Sequence, residues 1–227
     1  MSFENISIER TGAVATLWLD RPEKLNALHR VLWKSIPAAV ASLDEDPDVK
    51  VIVLAGRGKA FCAGIDLIDH APSMAAGGSL SGRGESVVGK RRALLDDIRG
   101  YQQTASCFAN SNKPVVAAVH GACIGAGMDL ITACDIRLAS ADAVFSVRET
   151  RIAMVADIGT LQRLPRVIGD GPARELIFTG CDIDAARALS LGLLNAVLPD
   201  AASLHARVQS LAQEIAANSP LAVQGSK

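Results

Sequence analysis

Hydrophobic residues fall in short blocks separated by turn signals. Val14-Ala-Thr-Leu-Trp-Leu19 alternates loosely and stops at Asp20-Arg21-Pro22, which reads as a strand followed by a turn. Asn26 is placed to cap a helix running to Leu43, with apolar residues at 28, 32, 36, 39, 40 and 43. Pro37 inside that helix is expected to kink or split it. Val51–Leu54 and Val115–Val119 are wholly apolar, as strands covered on both faces are, and Asp135–Ala139 reads as a shorter third strand. Residues 71–89 are rich in Ala, Gly, Ser and Met and predict a long mobile loop, either a substrate-entry loop or a surface insertion. Helical periodicity resumes from about Val88 to Asn110 and stops before Lys113-Pro114. From Gly159 onward the pattern is mostly helical, over 160–168, 171–179, 184–190 and 201–217, with a short strand at Leu194–Leu198. Strands early and helices late predict an α/β core with a helical C-terminal part.

Composition narrows the function classes. The 227 residues are 49% hydrophobic and 21% charged, as in a packed globular chain. A net charge of −1 gives no overall basic field, so no nucleic-acid partner is expected. The local run Lys90-Arg91-Arg92 reads as a solvated helix face. No apolar run reaches the roughly 18 residues of a membrane span. Met1-Ser2-Phe3-Glu4-Asn5 carries neither a secretory nor a transit pattern, so a cytoplasmic, bacterial setting is expected. The five cysteines, at 62, 107, 123, 134 and 181, read as free thiols in a reducing compartment, and no metal site is expected.

Two segments share one design, an apolar strand followed by a glycine turn and a helix start. They are Val51–Leu54 leading to Phe61-Cys-Ala-Gly-Ile-Asp-Leu67, and Val115–Val119 leading to His120-Gly-Ala-Cys-Ile-Gly-Ala-Gly-Met-Asp-Leu130. Either the glycines only allow tight turns, or two facing helix starts offer amide donors to a developing oxyanion. Gly125-Ala-Gly127 lacks the third glycine of a dinucleotide fingerprint, and neither a phosphate-binding P-loop nor a serine elbow occurs. Three carboxylates follow: Asp129, Glu149 and Asp157. Asp157, set among Ala153, Met154, Val155, Ala156 and Ile158, is either the N-cap of the helix at Gly159-Thr160 or an acid with a raised pKa. Paired carboxylates with nearby oxyanion donors suit proton abstraction beside a carbonyl. Cys62, Cys123 and His120 read as packed residues.

Arg21-Pro-Glu-Lys-Leu-Asn-Ala-Leu28, Phe61–Leu67, Lys113-Pro-Val-Val-Ala-Ala-Val-His-Gly121 and Ile124-Gly-Ala-Gly-Met-Asp-Leu130 together resemble the enoyl-CoA hydratase/isomerase (crotonase) superfamily. The likeness spans essentially the whole chain in family order. Met154–Gly169, preceded by Glu149, makes it greatest toward the branch that shifts 3,5-dienoyl-CoA double bonds to the 2,4 positions. The resemblance implies a spiral of repeated ββα units over residues 1–195, then the start of a helical C-terminal region over 196–227. Family members usually continue for a few dozen residues beyond that point. It implies an acyl-CoA thioester substrate, no separate cofactor, and a homotrimer or dimer of trimers. It implies an oxyanion hole from the Ile65 and Ala126 amides, with Gly127 adjoining. Ala63, Gly64, Ile65, Asp66 and Leu67 would line the coenzyme A path, with Lys24 and Ala27 as further contacts. Glu149 would take the C2 proton, Asp157 would donate at C6, and Asp129 would stay ionised beside them. A 2-enoyl-CoA hydratase, another enoyl-CoA isomerase, or an RNA-binding relative on the same scaffold are the alternatives.

Overall fold

The computed structural model describes residues 3–75 and 86–227. The strands β1 (Ile6–Thr11) and β2 (Val14–Leu19) form an antiparallel hairpin. A short 3-10 turn, Pro22–Lys24, leads to helix α1 (Arg30–Glu45) and then to β3 (Val51–Gly56). Helices α2 (Leu67–Ala75) and α3 (Val87–Asn110) follow, then β4 (Val115–Val119) and β5 (Ala122–Ile124). Helix α4 (Ala126–Thr132), β6 (Ile136–Ser140), β7 (Val144–Ser146) and a 3-10 turn at Glu149–Ile152 lead to α5 (Thr160–Ile168). The chain continues through α6 (Asp170–Thr179), β8 (Asp182–Asp184), α7 (Ala185–Ser190), β9 (Ala196–Leu198), α8 (Ala201–Ala216) and α9 (Pro220–Ser226).

The main sheet has the order β1-β2-β3-β4-β6-β9 and is parallel from β2 onward; β5-β7-β8 form a second, smaller sheet. Period-two alternation sorts the apolar strands onto two faces. Val14, Val51, Val53, Val116 and Leu138 pack under Leu204, Val208 and Ala212, spaced four apart on α8. Leu17, Ile52, Leu54, Ala117 and Val119 face the other way, into the core shared with α1, α3 and α4. Both faces are therefore covered, which is why β3 and β4 read as unbroken hydrophobic runs.

Three expectations are corrected. Asn26 does not cap α1, which begins four residues later after His29. Leu28 is instead bridged to Ile65, its amide bonding Gly64 O at 2.8 Å and its carbonyl accepting from Asp66 N at 3.0 Å. Asn26 takes a left-handed backbone (φ 57°), which Asn tolerates. Its buried side chain accepts from Arg21 N and donates to the carbonyls of Arg57 and Ala60, at 2.8–2.9 Å. Nor does Pro37 split α1, which runs unbroken to Glu45. Proline leaves the Trp33 carbonyl without its helical donor, and the Thr104 hydroxyl of α3 donates to that oxygen at 2.7 Å. Finally, the stretch 71–89 is not one loop: α2 extends to Ala75 and α3 starts at Val87. The rest of that stretch, and the entry-loop expectation with it, lies outside the described residues. The strands β5, β7 and β8 are three residues each, too short to show a period in the sequence.

Candidate active site

The two glycine turns meet. Phe61 N donates to His120 O, Cys62 N to Ala122 O and Ile124 N to Cys62 O, at 2.8–2.9 Å, so the segments run side by side through a parallel Cys62–Cys123 bridge. At Gly64 a Cβ would lie 3.1 Å from Ile124 O and 3.9 Å from Ala126 N, which sets the spacing between the turns. Ala126 opens α4, where no earlier carbonyl can accept its amide and no side chain caps it. The amides of Ile65 and Ala126 enter no hydrogen bond among the described residues. Both residues line one cavity of about 260 Å³, lined also by Ala63, Gly64, Leu67, Gly125, Asp129, Glu149, Met154, Val155 and Asp157.

All three candidate carboxylates line this cavity, each in a different setting. Glu149 lies over the second turn, where Gly125 has φ 51° and a Cβ would come within 3.2 Å of Glu149 Oε1. Only glycine suits that backbone and that approach together. Glu149 Oε2 is buried without a partner. Burial pushes the Glu149 carboxyl above its usual range, and the charge of Asp157 adds to the effect.

Asp129 is 1% exposed. Its Oδ1 accepts from both the amide and the hydroxyl of Thr160, at 2.7 and 2.6 Å, while Oδ2 is buried without a partner. Asp129 thus occupies the start of α5, the place the sequence offered to Asp157; that capping expectation for Asp157 is corrected. Burial pushes Asp129 up to about 7, Glu149 pushes the same way, and the Thr160 donors pull against both. Burial and the neighbouring Glu149 thus work against the ionised form that the resemblance implies for Asp129. Asp157 is half-buried, and its main-chain carbonyl accepts from Gln102 Nε2 of α3 at 2.8 Å.

The remaining candidates divide. Asp66 does not line the cavity: its carboxylate pairs with Arg21 at 2.7 Å and accepts the Ile68 and Asp69 amides that open α2. Gly127 lies behind the wall, where a Cβ would meet Cys62 O at 3.0 Å. Lys24 is exposed and Ala27 bonds back to Lys24 O; neither reaches the cavity, although Leu25 between them accepts from Ala63 N at 3.0 Å. Cys62 is buried with its thiol pushed up to about 12, which suits packing and not nucleophilic attack. His120 is packed with Nε2 3.0 Å from Gly58 O. Sequence reasoning missed Thr160, Gln102 and the wall residue Arg148, which pairs with Asp182. No local pattern says which distant acid a helix start or an amide side chain will meet. Among the described residues, no group of His, Cys, Asp and Glu side chains could hold a metal ion, and no helix is long and apolar enough to cross a membrane.

Residues 9–227 match the family model described as enoyl-CoA hydratase/isomerase. The chain belongs to that family. It is 43% identical over 229 residues to the peroxisomal Δ(3,5)-Δ(2,4)-dienoyl-CoA isomerase of Arabidopsis thaliana, covering all of this chain and 81% of the relative. It is also 43% identical to the human mitochondrial enzyme of the same name, covering all of this chain and 68% of that one. Among solved structures of the enoyl-CoA hydratase/isomerase family, the enoyl-CoA hydratase of Bacillus anthracis superposes with a TM-score of 0.83 at 34% identity. That match covers 97% of this chain and 80% of the other. The crotonase-like α/β spiral with its helical C-terminal part is therefore the fold of this member of the family.

Proposed function

We propose that this family member is a Δ3,5-Δ2,4-dienoyl-CoA isomerase acting in fatty-acid degradation, with coenzyme A as part of the substrate and no further cofactor. The observation that carries the reading is the pair Glu149 and Asp157 on one cavity with two unbonded amides. The thioester oxygen accepts from the Ile65 and Ala126 amides. Glu149 carboxylate removes a C2 proton, and the C2–H electron pair delocalises through the C1 carbonyl onto that oxygen and, in the other direction, along C3=C4 and C5=C6 as far as C6. Asp157, as the acid, delivers a proton to C6, leaving double bonds at C2 and C4. The proton on Glu149 then passes to Asp157 through solvent, so no net proton is gained or lost. Removing one oxyanion donor from such a site costs about 3–4 kcal/mol.

Three acids on one cavity support the proton inventory, since like charges this close resist ionising together. A hydratase on this scaffold would use residues 129 and 149 to hold water. Because both Thr160 donors occupy Asp129 Oδ1, only Oδ2 is left for that use. The resemblance to the family further suggests a trimer or dimer of trimers. The deciding experiment follows 2,4-dienoyl absorbance with a 3,5-dienoyl-CoA substrate. Asp157→Asn is expected to lose nearly all turnover while binding the thioester normally, and full turnover in that variant would refute the assignment.

A further inference from the structure

Asp157 sits on a segment without regular structure between the 3-10 turn at Glu149–Ile152 and α5, and something must fix its carboxyl against the cavity. Two side chains four residues apart on α3 reach that segment from outside. Gln102 Nε2 donates to Asp157 O at 2.8 Å. Ser106 Oγ accepts from Arg163 Nη2 at 3.0 Å. Arg163 in turn folds back on the segment's end. Its own amide donates to Gly159 O at 3.0 Å, and its guanidinium fills the space beside Gly159, where a Cβ would lie 1.8 Å from Nη1. Gly159, at φ 141°, is therefore the residue that both the backbone and the arginine require. Residues i and i+4 share a helix face, so one face of α3 grips residues 157–163 at both ends.

We infer that Gln102 is a positioning residue for Asp157, holding the C6 proton donor through its main chain, with Ser106 and Arg163 bracing the same segment. Gln102 is not among the cavity-lining residues, so the role assigned to it runs through the Asp157 main chain. The inference rests on the proposed isomerase reading, in which Asp157 serves C6 and Glu149 serves C2. Those two roles make it testable, because loosening Asp157 should slow protonation at C6 and leave removal of the C2 proton intact. A dienolate that waits longer returns more often to C2.

The test runs a 3,5-dienoyl-CoA substrate in D2O. It compares deuterium entering recovered substrate at C2 with 2,4-dienoyl product formed. Gln102→Met keeps length and loses the donor, whereas Gln102→Lys keeps a donor at the tip. Gln102→Met should form product about tenfold to a hundredfold more slowly with KM within about twofold, the scale expected for a misplaced catalytic group. Its ratio of exchange to product should rise about tenfold, and Gln102→Lys should recover much of the loss. Should Gln102→Met fail to fold, Ser106→Ala carries the test, with the same ratio rising about threefold. An unchanged ratio, or wild-type rates in Gln102→Met, overturns the positioning role and leaves the isomerase reading standing. Absence of product with the unsubstituted chain overturns the isomerase reading first, and this inference with it.

Discussion

Asp129→Asn should stabilise the fold at alkaline pH and do little for it in acid. Asp129 is 1% exposed, and burial carries its pKa from the ordinary 3.8 to about 7. Below about pH 4 the carboxyl is protonated in both the folded and unfolded chain and contributes no pH dependence. Between about 4 and 7 the unfolded chain has released its proton while the folded chain still holds it, so stability falls as pH rises. Above about 7 the full cost is present. At about 1.4 kcal/mol per pH unit, the gap from 3.8 to about 7 comes to about 4 kcal/mol. Asn is neutral throughout, and its Oδ1 can still accept both Thr160 donors. Any fixed gain or loss from the new amide is the same at every pH, so the discriminating quantity is the change with pH. For a chain of this size about 4 kcal/mol corresponds to roughly 8–16 °C in Tm. Thermal melts of both proteins at pH 5 and pH 8 should show the variant's advantage growing by several degrees between them. An advantage that is constant or shrinks toward pH 8 would refute the claim that Asp129 is held dry and near-neutral.

Ala126→Pro deletes one amide at the first position of α4, where proline is well tolerated, so melting should change little. Isomerase kcat/KM should nevertheless fall about a hundredfold to a thousandfold, read by product absorbance; a loss under fivefold would remove that amide from the oxyanion hole. Thr104→Val leaves the Trp33 carbonyl without a donor and should cost about 1–3 kcal/mol in denaturant unfolding. In a Pro37→Ala background the helix supplies its own donor, so the same substitution should cost much less; equal costs in the two backgrounds would disprove the compensation.

What the sequence made legible follows from how local each signal is. The wholly apolar runs at 51 and 115 could only be strands with two covered faces, and β3 and β4 are. The two glycine turns were readable as a pair because each carries its strand, glycine and helix start within a dozen residues. Asp157 beside Gly159-Thr160 satisfied every local rule for a cap, yet Asp129 makes those bonds from 31 residues upstream. Packing of α4 against α5 decides that competition, and nothing in a window around residue 157 encodes it. Asn26 failed for a related reason: its amide is matched to the carbonyls of Arg57 and Ala60, which only the folded turn brings near. Asp66 was read from its motif as lining the coenzyme A path, and its ion pair with Arg21, 45 residues away, lay outside any local pattern.

The three acids are the clearest sign that this cavity was shaped for chemistry and not for stability. A packing role at residue 129 would be better filled by a neutral side chain, since the carboxyl costs the fold about 4 kcal/mol once ionised. That penalty is a large part of the net stability of an ordinary domain, and it is sustained by a sheet buried on both faces. What it produces is a division of labour that three identical environments could not give. Asp129 is dry and tied at one oxygen, Glu149 is desolvated over Gly125, and Asp157 is half-open and held through its main chain. Separate surroundings let neighbouring carboxyls hold different protonation states at one pH, and the proposed isomerisation, in which a proton leaves one carbon while another arrives four carbons along, requires that difference.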